Sequence, residues 1–450
     1  MKLKKEIIFD VLKIALPAVF EMTLYTMIGV FDTMMVGQYG GDLAVSSVGL
    51  STETIYTFSN ILVANGISIG ISSLVARKIG EKKDKLAEEY ATLGFLFAFI
   101  ISIFAWFILF FFSTHLFRVI GTQENIITTA TPFIKIASIG IFFNMLMNSL
   151  NASLRGCGNT KTPLIASIIV TLINLTLDYI LIFGNFGVHS FGVTGSGIAT
   201  CTAQIIGFIF IFFYILKYSK TKVRISYIKK LNITMVKSLL RLSLPASLQE
   251  GSLSISRLIS NFFIVILGSL AFAANQITTS IESISFMPGW GFAIAATALV
   301  GQKFGEKDYE KAKEYAYSSL FLGTFIMLIC SAIFLMLPSQ LVSLFINSNA
   351  HQVINEGTLC VMIASIEQPF IALSMIAGGI LKGIGDTKTP FKVSMISSWL
   401  IRMPLMFIFI HIMRLSVMYV WIITSIQWIF DGTLIFILFR KKFKKLSEGF

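Results

Sequence analysis

Leu154-Arg-Gly-Cys-Gly-Asn-Thr-Lys-Thr-Pro163 recurs as Leu381-Lys-Gly-Ile-Gly-Asp-Thr-Lys-Thr-Pro390, with seven identities in ten positions and Arg/Lys and Asn/Asp among the three changes. Taken locally, each copy punctuates helices: glycines end one, and Thr-Lys-Thr-Pro opens the next. Taken together, the copies are 227 residues apart, and two further matches fall at nearly the same offset. Val75 to Ala91, VARKIGEKKDKLAEEYA, matches Val300 to Ala316, VGQKFGEKDYEKAKEYA, at nine of seventeen positions, and Leu16-Pro17-Ala18 matches Leu244-Pro245-Ala246. Self-similarity at one offset is the mark of an internal duplication.

Between these marks the chain is apolar. Of its 450 residues 55% are hydrophobic and 13% charged, with a mean hydropathy of +0.81, where a soluble domain carries about 25% charged residues. The apolar residues fall into runs of about 20, enough to cross a hydrocarbon core of roughly 30 Å. The expected spans are 14–36, 54–76, 91–112, 132–154, 163–183 and 195–216, then 242–267, 277–300, 316–337, 358–381, 393–412 and 416–439. Phe95 to Phe112 is rich in aromatics, but a barrel strand would alternate over about ten residues. Unbroken apolarity in lipid requires helices. The fold class is therefore an all-α membrane protein of twelve transmembrane helices.

The net charge of +13 points to topology and not to nucleic acid. Thirty-one of the 36 Lys and Arg lie in the N-terminus, every second loop and the C-terminal tail, as in Arg77 to Lys85, Lys217 to Arg241 and Arg440 to Lys445. The intervening loops carry two, Arg118 and Arg414. That is the positive-inside pattern, with both termini cytoplasmic and an even number of spans in a cytoplasmic (inner) cell membrane. The first run contains Pro17, Glu21 and Asp32 and lacks a small-residue cleavage site, so it is expected to remain in the protein. Cys157, Cys201, Cys330 and Cys360 lack metal-like spacing and read as free thiols.

Six spans per copy is an even number. Both copies then insert in the same sense, as two parallel six-helix bundles related by a pseudo-two-fold axis along the membrane normal. The expected organisation is an N-terminal bundle over 1–216, a basic cytoplasmic linker over 217–241, a C-terminal bundle over 242–439 and a tail over 440–450. A cavity between the bundles is the expected substrate path. The charged stretches Glu81 to Glu89 and Glu306 to Glu314 read as solvated surface segments.

Ten of the 59 charged residues fall inside the spans: Glu21, Asp32, Lys135, Asp178, Glu250, Arg257, Glu282, Glu367, Arg402 and Asp431. A charge at a helix centre costs roughly 2.5–3.5 kcal/mol on insertion scales, so such residues pair, face a cavity or bind an ion. Counting at 1.5 Å per residue, Asp32, Asp178 and Thr200 all lie roughly 6–8 Å below the outer boundary. Asn174, four residues before Asp178, shares its helix face. Two carboxylates, an amide and a hydroxyl at one level suit Na⁺ or a proton; a structural hydrogen-bond network is the alternative. Arg257 and Glu282, on adjacent spans, are expected to pair. Glu250, Glu367, Arg402 and Asp431 are expected to line the C-terminal half of the cavity, as substrate contacts or structural pairs.

The sequence resembles the multidrug and toxic compound extrusion (MATE) transporters over nearly its whole length. The resemblance is carried by Leu16-Pro17 with Phe31-Asp32-Thr33-Met34-Met35-Val36-Gly37, by the paired decapeptide turns, and by Met287-Pro288-Gly289 with Leu299-Val300-Gly301-Gln302. It implies two six-helix bundles that alternate between inward-open and outward-open states, exporting cationic or amphipathic compounds as Na⁺ or H⁺ enters. It also implies that Asp32 is the functional aspartate of the first span, and that Asn174-x-x-x-Asp178 is the fifth-span motif of DinF-like members. Thr200 then matches the sixth-span hydroxyl of that cation site, and Ser196 a backbone oxygen. The acids of NorM-like members in the seventh and tenth spans are displaced: the positions expected to hold them carry Leu253 and Ile371, with Glu250 and Glu367 nearby. The resemblance further implies a monomer with no cofactor beyond the coupling ion.

One rival class is a flippase for a lipid-linked oligosaccharide, whose pyrophosphate cargo would prefer a basic cavity. The spans hold seven acids and three bases, which favours cationic cargo. No HExxH, GxSxG or paired catalytic aspartate motif is present, so no enzyme activity is expected.

Overall fold

The structure is a computed structural model, and it describes residues 4–61, 64–119, 122–230, 232–346 and 350–448. Among them every regular element is helical. In chain order these are α1 (Lys5–Ile61), α2 (Ala64–Gly80), α3 (Asp84–Val119), α4 (Glu124–Gly156), α5 (Lys161–Phe183) and α6 (Gly192–Lys217). After the linker come α7 (Ile233–Val265), α8 (Ser269–Gly305), α9 (Tyr309–Met336), the short α10 (Pro338–Ser343) and α11 (His351–Gly383). The last two are α12, which runs from Lys388 to Ile412, and α13 (Val417–Glu448). Nine described helices are long and apolar enough to cross a membrane: α3, α4, α5, α6, α8, α9, α11, α12 and α13. The remaining expected spans fall on α1, α2 and α7, giving the twelve-helix architecture.

The first outer loop differs from expectation. Residues 37–53 were expected to connect two spans, but α1 continues through them and bends at one residue, Gly41, with φ 59° and ψ −148°. L side chains rarely adopt that left-handed conformation, so glycine suits the kink there. Residues 62 and 63, within the expected second span, lie outside the described residues.

The recurrent decapeptide folds the same way twice. Asn159 N–H donates to Leu154 O and Gly158 N–H to Arg155 O; Asp386 N–H donates to Leu381 O and Gly385 N–H to Lys382 O. These are Schellman closures, with Gly158 and Gly385 at φ 81° and 87°. The next residue then opens the following helix: Asn159 Oδ1 accepts from Thr162 N–H at 3.1 Å, and Asp386 Oδ1 from Thr389 N–H at 3.0 Å. The first glycine of each copy serves packing. A Cβ on Gly156 would lie 2.8 Å from Ser72 O, and one on Gly383 2.7 Å from Thr297 O. Small residues allow such close helix approach within a membrane.

The chain forms two compact units, residues 20–247 and residues 1–19 with 248–450. Two helices therefore change unit along their length, α1 after Val19 and α7 after Ser247. Ile7, Val11, Ile14 and Ala15 pack in the core with Phe292, Ala295 and Ala296 of α8. In the other unit, Met235, Leu239 and Leu242 of α7 pack with Ile67, Ile71 and Leu74 of α2. Each unit is thus completed by the opening segment of the helix that begins the other repeat.

Phe99, Ile100, Phe104, Phe107 and Phe111 form an exposed apolar face of α3, as expected where lipid is the solvent. The charged stretch 81–89 is less solvated than expected. Glu88 is buried, with Oε1 accepting from Lys222 N–H at 3.1 Å and Oε2 from Tyr227 Oη–H at 2.8 Å. Thr92 Oγ1 accepts from Arg224 N–H at 3.2 Å. The basic linker is therefore docked on α3 by its backbone. All four cysteines are free.

Candidate functional site

Three helices of the first unit bring together the residues placed at one depth by counting. Asp32 of α1 is 7% exposed, and Asn174 and Asp178 of α5 and Ser196 of α6 are fully buried. Asn174 Nδ2 donates to Thr200 Oγ1 at 3.3 Å, and Thr200 Oγ1 donates to Asp32 Oδ2 at 3.2 Å. Asp178 lies against Asp32, Asn174 and Ser196. The helical spacing explains the convergence: 174 and 178, and 196 and 200, are each one turn apart on a single face.

The local bonding leaves much unsatisfied. Asp32 Oδ1, both carboxylate oxygens of Asp178, Asn174 Oδ1 and Ser196 Oγ are buried without a hydrogen bond of good geometry. Buried polar groups are ordinarily paired, because each one left bare costs about 1–3 kcal/mol and more if charged. Two ionised carboxylates side by side repel: at about 4 Å and an effective dielectric near 20 the cost is on the order of 4 kcal/mol. The arrangement is relieved by a positive charge among the oxygens, either a proton on a carboxyl or a small hard cation. Among the described residues no group of three or more His, Cys, Asp or Glu side chains converges.

The second unit holds its four in-span acids in two places. Glu282 of α8 and Glu367 of α11 face one another, with Ser425 Oγ of α13 donating to Glu367 Oε2 at 3.2 Å. Arg402 of α12 donates to Gln427 Oε1 at 3.3 Å and lies within electrostatic range of both carboxylates. The expected Arg257–Glu282 pairing is present only as an electrostatic neighbourhood, with Arg257 in range of Glu282 but not in direct contact among the described residues. Arg257 lies on an exposed face of α7 and within electrostatic range of Glu282 and Arg402. Adjacency of spans seven and eight gave that expectation, whereas packing of α8 on α11 decides the partner.

The second place is around Asp431 of α13, which accepts from Ser374 Oγ and Ser397 Oγ, each at 2.6 Å. Lys382 is buried nearby, within electrostatic range of Asp431 and Glu250. Its counterpart in the first unit, Arg155, forms a direct buried ion pair with Glu21. Arg155 therefore pairs with an acid just past the changeover of α1, and Lys382 lies within electrostatic range of one just past the changeover of α7. Repeat arithmetic points to this neighbourhood, since at the offset of the Leu-Pro-Ala match Glu21 falls next to Glu250.

Comparison with known proteins agrees with the duplication. The MatE family pattern matches residues 17–180 and again 245–408, beginning at Pro17 and at Pro245. The chain is 28% identical over 435 residues to the probable multidrug resistance protein NorM of Thermotoga maritima, covering 96% of this chain and 92% of that one. It is 26% identical to the multidrug resistance protein MdtK of Yersinia enterocolitica, over 88% of this chain and 86% of the other. An outward-facing multidrug resistance MATE family transporter of the MOP superfamily superposes with a TM-score of 0.90 at 21% identity, over 99% of both chains. A MOP superfamily transporter from Pyrococcus furiosus also gives 0.90 at 21% identity, over 99% of this chain and all of that one. With both repeats matched and the twelve-helix fold shared, this chain belongs to the MATE family of membrane transporters.

Proposed function

We propose that the protein exports cationic and amphipathic small molecules in exchange for an inward-moving cation, Na⁺ or H⁺, bound by Asp32, Asp178, Asn174, Thr200 and Ser196. The observation that carries this reading is the set of buried, unsatisfied oxygens around two neighbouring carboxylates. Relatives named for multidrug resistance support the cargo class. The excess of acids over bases inside the spans supports a cationic cargo. The lysine and arginine asymmetry supports cytoplasmic termini, and the resemblance supports a monomer working without a cofactor.

Asp32 and Asp178 supply the charge, Thr200 links Asp32 to Asn174, and the buried oxygens set the cost of leaving the site bare. Neutralising that charge favours one of two access states, and cargo favours the other, so ion and cargo bind in alternation. One cation moving inward down 100 mV releases about 2.3 kcal/mol, enough for a roughly fifty-fold gradient of a neutral solute.

The test is ethidium or norfloxacin efflux from proteoliposomes under an imposed Na⁺ or H⁺ gradient, with Asp32→Asn and Asp178→Asn alongside. The proposal expects gradient-driven export that either substitution abolishes while the protein stays folded. Export indifferent to both substitutions would refute the site. No export under either gradient would refute the antiporter and return the flippase.

A further inference from the structure

The buried carboxylates of the second unit differ from those of the first in what surrounds them. Glu282 and Glu367 are 7% and 0% exposed, and each leaves Oε1 without a hydrogen bond. In that respect they repeat Asp32 and Asp178. The difference is Arg402, whose Nη1 is held by Gln427 and whose Nε is buried without a partner. Gln427 is itself fixed by donating from Nε2 to Ser398 Oγ at 3.4 Å. Among the described residues, the charges and polar groups that act on Asp32 and Asp178 include no base.

This second cluster is not a copy of the first. At the repeat offset, Asp32 falls on Ser260 and Asp178 on Leu405, so the second half has lost both carboxylates of the first site. Its own acids come from α8 and α11, and the guanidinium stands at the end of a π-helical stretch, Ile396–Arg402. Pro404 lies two residues beyond, where it cannot donate a helical hydrogen bond. Such π-helical departures re-aim side chains and concentrate at functional sites.

We propose that Arg402 is a tethered cation: it fills in the second unit the role that a mobile ion plays at Asp32 and Asp178, so that Glu282 and Glu367 bind no free cation while it is there. The inference rests on reading Asp32 and Asp178 as the mobile-ion site. Charge balance follows directly. The Arg402 guanidinium, with Arg257 also within electrostatic range of Glu282, offsets the charge of the two carboxylates. Transport then couples to the first unit alone, and the second is a fixed, neutralised polar cluster.

The experiment counts cations on purified full-length protein in an Asp32→Asn/Asp178→Asn background, using radioactive sodium at pH 8 and proton uptake between pH 5 and 9. Arg402→Gln is expected to gain one bound sodium or one proton per chain. Arg402→Lys is expected to gain none, and adding Glu282→Gln and Glu367→Gln to Arg402→Gln is expected to remove the gain. A folded Arg402→Gln protein that gains neither ion overturns the proposal. Thermal unfolding gives a second readout, even if Arg402→Gln alone misfolds. Glu282→Gln/Glu367→Gln strands the arginine and is expected to lower the midpoint, and adding Arg402→Gln is expected to restore it. A triple variant no more stable than the double overturns the proposal too. Efflux unchanged by Asp32→Asn would defeat the first-unit reading by itself, and the ion count at Arg402→Gln would still stand or fall independently.

Discussion

Removing either partner of the Glu21–Arg155 pair should destabilise the first unit by about 3–5 kcal/mol, two to nearly four orders of magnitude in the folding equilibrium. The magnitude follows from burial. The two side chains retain 4% and 11% of their exposure, so neither can turn to water when the other is lost. Glu21 Oε2 and Arg155 Nε already lack hydrogen bonds, and the remaining contact is what offsets their desolvation. An exposed pair would be worth no more than about 1 kcal/mol. The assay is unfolding in mixed micelles with increasing SDS, followed by far-ultraviolet circular dichroism, for Glu21→Gln, Arg155→Gln and the double variant. The double variant removes both charges and should recover part of the loss, giving a coupling of about 2–3 kcal/mol. Losses that add to within about 0.5 kcal/mol would refute the reasoning, because the two charges would then be stabilised by something other than each other.

Three further outcomes are expected. Gly383→Ala should cost about 1–3 kcal/mol by overpacking, since its Cβ would meet Thr297 O at 2.7 Å and Thr297 Cα at 3.1 Å; stability equal to wild type in the same SDS titration would contradict that packing. Glu88→Ala should bare the Lys222 N–H and the Tyr227 hydroxyl and speed amide exchange over residues 218–230 about tenfold or more. Unchanged exchange would mean that the linker is held by other contacts. Burial raises the Asp386 carboxyl, but hydrogen bonds from Lys442 and Thr389 outweigh it and hold the group below its ordinary value of 3.8. A depressed carboxylate stabilises above its unfolded value and loses that contribution as the pH falls through its folded one. The stability gap between wild type and Asp386→Asn should therefore be full at pH 7 and close below about pH 4; a gap that widens on acidification would reverse the sign.

The fold was legible because lipid imposes simple constraints. Runs of about 20 apolar residues, basic residues in alternate loops and a decapeptide repeated at 227 residues needed no knowledge of packing. The Asp32, Asn174, Asp178 and Thr200 cluster was legible for a related reason, since rise per residue and helical periodicity convert sequence number into depth and face. What sequence could not supply was lateral choice between helices. Adjacency in sequence points Glu282 at Arg257, which is in electrostatic range, but it does not reveal that Glu282 faces Glu367, 85 residues away and without any motif linking the two. Glu88 was hidden by its company, because a run of charges reads as solvated even when one member is turned inward to hold a linker. Gly41 was hidden because a kink at one glycine, within an otherwise helical segment, leaves no run of turn residues to read.

The changeover of α1 after Val19 and of α7 after Ser247 bears on how such a chain can be assembled. It is a reciprocal domain swap made within one polypeptide, the covalent counterpart of two identical protomers exchanging their opening segments. The core that contains Ile67, Ile71 and Leu74 still lacks Met235, Leu239 and Leu242 after the first six spans have been synthesised, and residues 1–19 must wait for α8. Neither repeat can therefore finish folding as it leaves the ribosome. A fragment ending in the linker would expose an incomplete core together with an orphaned N-terminal segment, which makes the complete chain, not the half, the smallest unit that quality control can accept.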